Sequence, residues 1–183
     1  MAPTPWQLLE KYFDGQPEAL DIVYRHSRKV ADKALAIARS SGLSLDLPFI
    51  EEAALLHDIG VCRVDAPKLK CFGAAPYICH GVIGREILEA EGFPRHAMVC
   101  ERHIGVGLTA SDVEIQKLPL PFREMSPECA CERVVAMADL FFSKRPGELE
   151  REKSLKQVRN ELAVFGSQKV TIFESWLEQF GVR

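Results

Sequence analysis

The sequence has no surplus of positive charge: 23 Lys and Arg stand against 26 Asp and Glu, giving a net charge of -3 and a pI near 6.0. Proteins that grip nucleic acid or an anionic membrane usually carry a basic excess, so neither partner is expected. Long apolar runs are also missing. Nothing approaches the roughly 18 apolar residues of a membrane-spanning helix. The opening "MAPTPWQLLEKYFDG" lacks the basic-then-apolar plan of a secretory signal. The cysteines, Cys62, Cys71, Cys79, Cys100, Cys129 and Cys131, form no C-x-x-C pair and no disulfide-knot spacing. A reducing, cytoplasmic setting is the expectation. Cys129 and Cys131 make a C-x-C, but helical neighbours two apart diverge, so both read as small core residues rather than zinc ligands.

Strand patterns are scarce as well, and no internal repeat, low-complexity tract or linker-like composition shift divides the 183 residues. One domain over residues 1–183 is expected, able to bury roughly 70% of its unfolded surface. What remains is a series of helices punctuated by Gly and Pro. Pro17 opens a segment in which Leu20, Val23, Ser27, Val30, Ala34 and Ile37 recur at helical steps, and Gly42 closes it. Pro48 opens "PFIEEAALLHDI", with Gly60 expected as its C-terminal cap; "GVIGREILEAEG" and "PRHAMVCERHIG" repeat the plan. Ser126 and Pro127 read as N-cap and first turn of "SPECACERVVAMADLFF". In the tail, Leu155, Val158, Leu162 and Phe165 make one apolar stripe, and Val170, Phe173, Leu177 and Phe180 another. The fold class is therefore all-α. Two stretches, Val61 to Cys79 and Gly105 to Met125, resist a helical reading, and long loops in compact domains often carry function.

The polar residues on these helices are out of place. His26 borders the stripe of Val23, Val30 and Ile37. His57 continues the face of Ile50, Ala53 and Ala54. His103 follows Cys100 by one turn, and Asp139 lies between Val135 and Phe142 on an apolar face. A buried, unpaired carboxylate costs several kcal/mol, so Asp139 needs a cation, a donor network or a metal, and no lysine is read near it in sequence. One inward histidine is most often a hydrogen-bonded core residue. Six such groups on five successive elements, namely His26, His57, Asp58, His80, His103 and Asp139, are the way helix bundles build metal sites. His96, near a helix start marked by Pro94, is left over and expected in a supporting or surface role.

The order His, His-Asp, His, His, Asp resembles the HD-domain superfamily, and "HDIG" is the spelling that names its HDIG subgroup. The residues stand here as His26 in "YRHSRKVA", His57-Asp58 in "LLHDIG", His80 in "ICHGVIGREIL", His103 in "ERHIGVGLT" and Asp139 in "AMADLFF". The likeness covers about residues 18 to 142, with helices over 150–181 expected to pack on that core. It implies an HD-domain-like helical bundle with a metal site in its core, holding one or two divalent ions. It also implies phosphohydrolase activity; small stand-alone HDIG proteins, including those that split diadenosine tetraphosphate symmetrically, are the nearest in kind. By resemblance, His26, His57, Asp58 and Asp139 form one metal site, and His80 with His103 hold a second metal that shares Asp58. The neutral imidazoles and carboxylates suit Fe, Mn, Co, Ni or Zn, with iron or manganese favoured.

The chemistry implied is metal-activated water attacking a small phosphoester or phosphoanhydride, a nucleotide being the expected substrate, with Asp58 and His57 at its centre. Phosphate oxygens also want Lys or Arg donors, and the irregular stretches offer Arg63, Lys68, Lys70, Lys117 and Arg123. Many HDIG proteins carry Lys directly after the motif; this chain has Val61. No Glu-Asp pair follows the doublet as in the alarmone hydrolases, so guanosine tetraphosphate hydrolysis is not expected. Two alternatives stay open: a mixed-valence di-iron oxygenase using the same six ligands, and a metal-free signalling module, which would typically have lost ligands. Oligomeric state is open, a homodimer being one option.

Overall fold

The computed structural model describes residues 2–183. Its helices, with their bounds, are α1 (Pro5–Tyr12), α2 (Pro17–Ser40), α3 (Leu47–Leu56), α4 (His80–Ala90), α5 (Pro94–Arg102), α6 (Ala110–Ile115), α7 (Ala130–Asp139), α8 (Leu155–Ala163) and α9 (Ser167–Phe180). Between α3 and α4 the chain makes three short 3-10 turns, Ile59–Arg63, Pro67–Leu69 and Tyr77–Cys79, and one small antiparallel pair, β1 (Asp65–Ala66) with β2 (Cys71–Phe72). The fold is all-α but for that small pair.

Local chemistry sets most helix ends. Thr4 caps α1 through a capping box with Gln7, and Pro5 pre-sets its first turn. Asp46 accepts from the Phe49 N–H to start α3, and Ser154 with Gln157 boxes the start of α8. Gly42, expected to close α2, sits at φ 70°, a left-handed turn that a Cβ would strain.

Four expectations need correction. Gly60 does not cap α3: that helix ends at Leu56, and Gly60 lies inside the 3-10 turn with no left-handed φ. Its glycine is needed for closeness, since a Cβ there would stand 2.0 Å from the His80 carbonyl oxygen and 2.5 Å from the Gly84 nitrogen. Ser126 and Pro127 do not begin α7. The neighbouring Met125 exchanges both backbone hydrogen bonds with Leu108, at 3.1 and 2.8 Å, which holds the chain extended until Cys129 caps the helix. Cys129, expected in the core, is therefore exposed, and Cys131 is only half-buried. Finally, the irregular stretch from Gly105 to Met125 contains α6, opened by a capping box of Thr109 and Asp112.

Two large apolar clusters form most of the interior, beside a small third one of Leu108, Val113 and Met125. One gathers the C-terminal half of α2 with α3, α7, α8 and α9, through residues such as Val30, Ile50, Val134, Leu162 and Phe173. The other joins α1 and the N-terminal half of α2 to the turn after α3, α4 and α5, through Leu9, Val23, Ile59, Leu88 and Cys100. Along α2 the change from one to the other falls between Val23 and Val30, where His26 lies. In α3 it falls between Ala54 and Leu56, one residue before the His57-Asp58 doublet. Among the described residues no helix is long and apolar enough to cross a membrane.

Candidate metal centre

Adjacent residues on a helix diverge by about 100°, so His57 and Asp58 can meet at one point only if the helix relaxes. It does so there. His57 keeps helical angles (φ -55°, ψ -28°) just beyond α3, and Asp58 leaves them (φ -104°, ψ 11°) before the 3-10 turn begins. The His57 Nε2 consequently comes to 3.1 Å from Asp58 Oδ2. His26, in the middle of α2, and Asp139, the last residue of α7, bring Nε2 and Oδ1 within 2.9 Å of each other. His80, first residue of α4, and His103, directly after α5, face one another with Nε2 atoms 3.2 Å apart.

The two oxygens of Asp58 divide these groups. Oδ2 lies toward His57 and toward His26 at 3.4 Å, whereas Oδ1 lies 3.5 Å from His80 Nε2 and 3.7 Å from His103 Nε2. All six residues predicted from the sequence thus come together. His26, His57, Asp58, His80 and His103 are buried and Asp139 nearly so, its side chain 18% exposed. Donor atoms of His26, His57 and Asp139, and of His57, Asp58 and His103, form groups compact enough to hold a metal ion.

Backbone carbonyls orient the rings. The Nδ1 atoms of His57, His80 and His103 donate to the carbonyl oxygens of Ala54 (2.6 Å), Tyr77 (2.7 Å) and Cys100 (2.8 Å). A carbonyl can only accept, so each Nδ1 carries a proton and each ring, when neutral, turns an Nε2 lone pair inward. Two such lone pairs 3.2 Å apart repel unless a cation lies between them. His57 Nε2 and Asp58 Oδ1 are, moreover, buried acceptors without a hydrogen-bond partner, a costly arrangement in a protein interior. The donor set therefore fits divalent metal.

The electrostatics agree. Burial works against ionising Asp58, yet His57 and Lys144 hold its carboxyl well below the usual carboxylate range. Asp139 is likewise held low, against its burial, by Lys144, His26 and His57. For His57 burial pulls down, but Asp58 and Asp139 outweigh it and push the ring up to about 10, so that without an ion a second proton on Nε2, between the two carboxylates, takes the place a metal would fill. Burial, with His57 and His80 nearby, takes His103 down to about 3, and burial lowers His26 and His80 too.

The expected phosphate donors fare unevenly. Lys68 lines a hollow of about 480 Å³ beside Asp139 and Tyr77. Lys70 lines an adjoining hollow of about 380 Å³, with its ammonium 3.5 Å from Glu18. Arg63 instead stacks over the Tyr12 ring at 5.7 Å. Arg123 is bound to buried Glu101, its Nε 3.1 Å from the carboxylate, and neither it nor Lys117 lines these hollows. His96 stays outside the cluster, 3.2 Å from Glu52 and edge-on to Phe49 and Phe93.

The residue missed from the sequence is Lys144. It follows Asp139 by one helical turn and a bend, and its Nζ lies 2.5 Å from Asp58 Oδ2, supplying the lysine that the reading of Asp139 did not find. The run "SKRPG" just after the last acidic residue was the available signal. Tyr77 also lines the larger hollow, its ring 4.7 Å from that of His80; burial pushes its hydroxyl up to about 12.

A tRNA (cytidine(56)-2'-O)-methyltransferase of Thermoplasma volcanium is 35% identical over 126 residues, 68% of this chain and 33% of that protein. The same-named protein of Picrophilus torridus is 32% identical over 139 residues, 75% of this chain and 35% of its own length. The chain thus spans about a third of each methyltransferase. An uncharacterized protein of Methanocaldococcus jannaschii is 35% identical over 129 residues, 67% of this chain and 69% of that one. Among solved structures, the HD domain of the L. monocytogenes phosphodiesterase PgpH superposes with a TM-score of 0.54 at 18% identity, covering 93% of this chain and 94% of the other; this likeness concerns the fold. The model of the HD domain family matches residues 23–142, a span that begins just before His26 and ends just after Asp139, and the chain belongs to that family.

Proposed function

We propose that the protein is a metal-dependent phosphohydrolase acting on a small phosphorylated substrate, a nucleotide by preference. The observation that carries this reading is the division of Asp58, whose Oδ2 faces His26 and His57 while its Oδ1 faces His80 and His103. A carboxylate shared between two groups of imidazole donors is the requirement of a two-ion site. His26, His57, Asp58 and Asp139 would hold one ion, and His80, His103 and Asp58 the other, with iron or manganese favoured over cobalt, nickel or zinc. When bound, such ions acidify a water and offset the charge that develops on phosphoryl oxygens.

The chain's own residues do the rest. The carbonyls of Ala54, Tyr77 and Cys100 fix three rings with Nε2 forward, so donor geometry is set before any substrate arrives. Burial of the cluster keeps bulk water out, and the hollow lined by Tyr77 supplies an approach on which the three cations Lys68, Lys144 and Arg145 outnumber the carboxylates of Asp65 and Asp139. Its size lies within the usual range for small-molecule sites. Residues 1–183 act in this reading as one HD unit, with α8 and α9 packed on the first apolar cluster. A cytoplasmic location goes with it, in keeping with six free thiols.

The test is to strip the protein with chelator, reload it with Mn²⁺ without oxygen, and screen a nucleotide panel for release of phosphate or nucleoside phosphate. Turnover of at least one nucleotide is expected. Activity confined to iron with oxygen, and oxygen uptake matching product, would replace this reading with the di-iron oxygenase.

A further inference from the structure

The cluster contains a cation of its own. Lys144 Nζ lies 2.5 Å from Asp58 Oδ2 and 3.3 Å from His26 Nε2. The same Oδ2 lies 3.1 Å from His57 Nε2, and the same His26 Nε2 lies 2.9 Å from Asp139 Oδ1. The ammonium therefore uses the donor atoms on which a metal ion on the His26 side would draw. A positive charge so close opposes a divalent ion, the more strongly because the site is largely shielded from water.

Lys144 is also placed to leave. It comes from the non-helical stretch after α7, and its side chain, 11% exposed, stands with that of Asp139, 18% exposed, at the open edge of an otherwise buried cluster. Four flexible methylenes let an ammonium move several ångströms with no change of backbone. Outward of it lie Lys68 and Arg145, which line both hollows together with Lys144. Lys70 in the outer hollow is partnered by Glu18, and Arg25 by Asp21 and Glu150, whereas among the described residues Lys68 and Arg145 pair with no carboxylate. Two unpaired cations and a movable third form a cradle for an anion beside the metal ligands.

We propose that Lys144 is a two-position cation: paired with Asp58 it competes with metal on the His26 side of the cluster, and displaced by metal it joins Lys68 and Arg145 to bind the substrate's phosphate. The phosphate half rests on the phosphohydrolase reading; the competition half does not. The two positions couple the ligands. Metal on the His26 side releases the lysine for phosphate, and phosphate that holds the lysine outward strengthens metal by the same factor.

K144M, which keeps the length of the stem and removes the charge, tests both halves in the full chain without any turnover. In chelator-stripped protein, calorimetric titration with Mn²⁺ is expected to show binding about fivefold tighter or more than in the parent. In Mn²⁺-saturated protein, titration with inorganic phosphate is expected to show binding about fivefold weaker or more. K68M should weaken phosphate and leave Mn²⁺ unchanged. K144R, which keeps the charge, should resemble the parent in Mn²⁺ affinity and serves if K144M does not fold. A merely structural lysine would weaken both ligands or neither. Manganese bound no tighter by K144M, or phosphate bound equally well by K144M and parent, overturns the proposal. A nucleotide panel without turnover would instead overturn the phosphohydrolase reading and leave these titrations standing.

Discussion

His80 and His103, which stand 23 residues apart in sequence, point Nε2 at Nε2 across 3.2 Å while each fixes its Nδ1 proton on a carbonyl of its own preceding turn. Paired lone pairs of this kind make little sense as core packing and good sense as ligands. Replacing both by alanine is expected to lower metal content by about one ion per chain and to spare the His26 side. Metal analysis by mass spectrometry checks this; unchanged stoichiometry in the folded double variant would refute the assignment.

Asp58 serves both groups, so D58N should be more severe than loss of either. The amide keeps the volume and removes the charge that both sides share. Metal content should fall toward zero and hydrolysis with it, by about a thousandfold or more, while far-ultraviolet circular dichroism stays near that of the parent. A D58N protein retaining metal on both sides would remove Asp58 from the bridging role.

Gly60 is the cheapest atom count in the site and among the least replaceable. A methyl group there would meet the His80 carbonyl oxygen at 2.0 Å, and both sides are backbone. G60A is expected to destabilise the fold by about 3 kcal/mol, the upper part of the usual range for overpacking. Urea unfolding measures that directly, and because the shift moves α4, it should also weaken metal binding on the His80 side.

Lys169 of α9 reaches Asp112 Oδ2 at 2.5 Å and the Gly107 carbonyl at 2.9 Å, tying the C-terminal helix to α6. Burial would raise the Asp112 carboxyl, but Lys169 and the Thr109 cap lower it below its ordinary value. A carboxyl lowered in the folded state stabilises above its unfolded value of 3.8 and loses that contribution as pH falls through the folded one. D112N should therefore be less stable than the parent at pH 6, with the gap closing as pH drops below about 4. Denaturation midpoints for both proteins at several pH values test it; a gap that widens in acid contradicts it.

Much of this was readable in advance, for physical reasons that differ by residue. His26, His57, His103 and Asp139 betrayed themselves because helical period is strict and a polar group on an apolar stripe stands out. Asp58 needed more, since its direction depends on a helix relaxing after Leu56, and only the resemblance to HD proteins supplied that. The role of Gly60 was misread because glycine serves both for left-handed turns and for close approach, and sequence does not say which. Lys144 went unseen because it belongs to no periodic element: its position depends on how the chain bends after α7, a tertiary matter. Arg63 and Arg123 show the converse, since surface cations near a motif found Tyr12 and Glu101 instead. The helix α6 was legible in Thr109 and Asp112, three apart, but the prolines downstream masked it.

The seam between the two apolar clusters has a mechanical meaning. Along α2 the joint between one cluster and the other is made at His26, against which His57, Asp58 and Asp139 are packed. His26 and Asp139, 113 residues apart along the chain, meet at that joint. Ions held there would rivet two independently oily lobes into one cooperative body, so that loading sets not only chemistry but the number of steps in which the molecule melts. Stripped of metal, the joint should yield first, and the lobes of α1, α4 and α5 on one side and α7, α8 and α9 on the other should lose their shared transition.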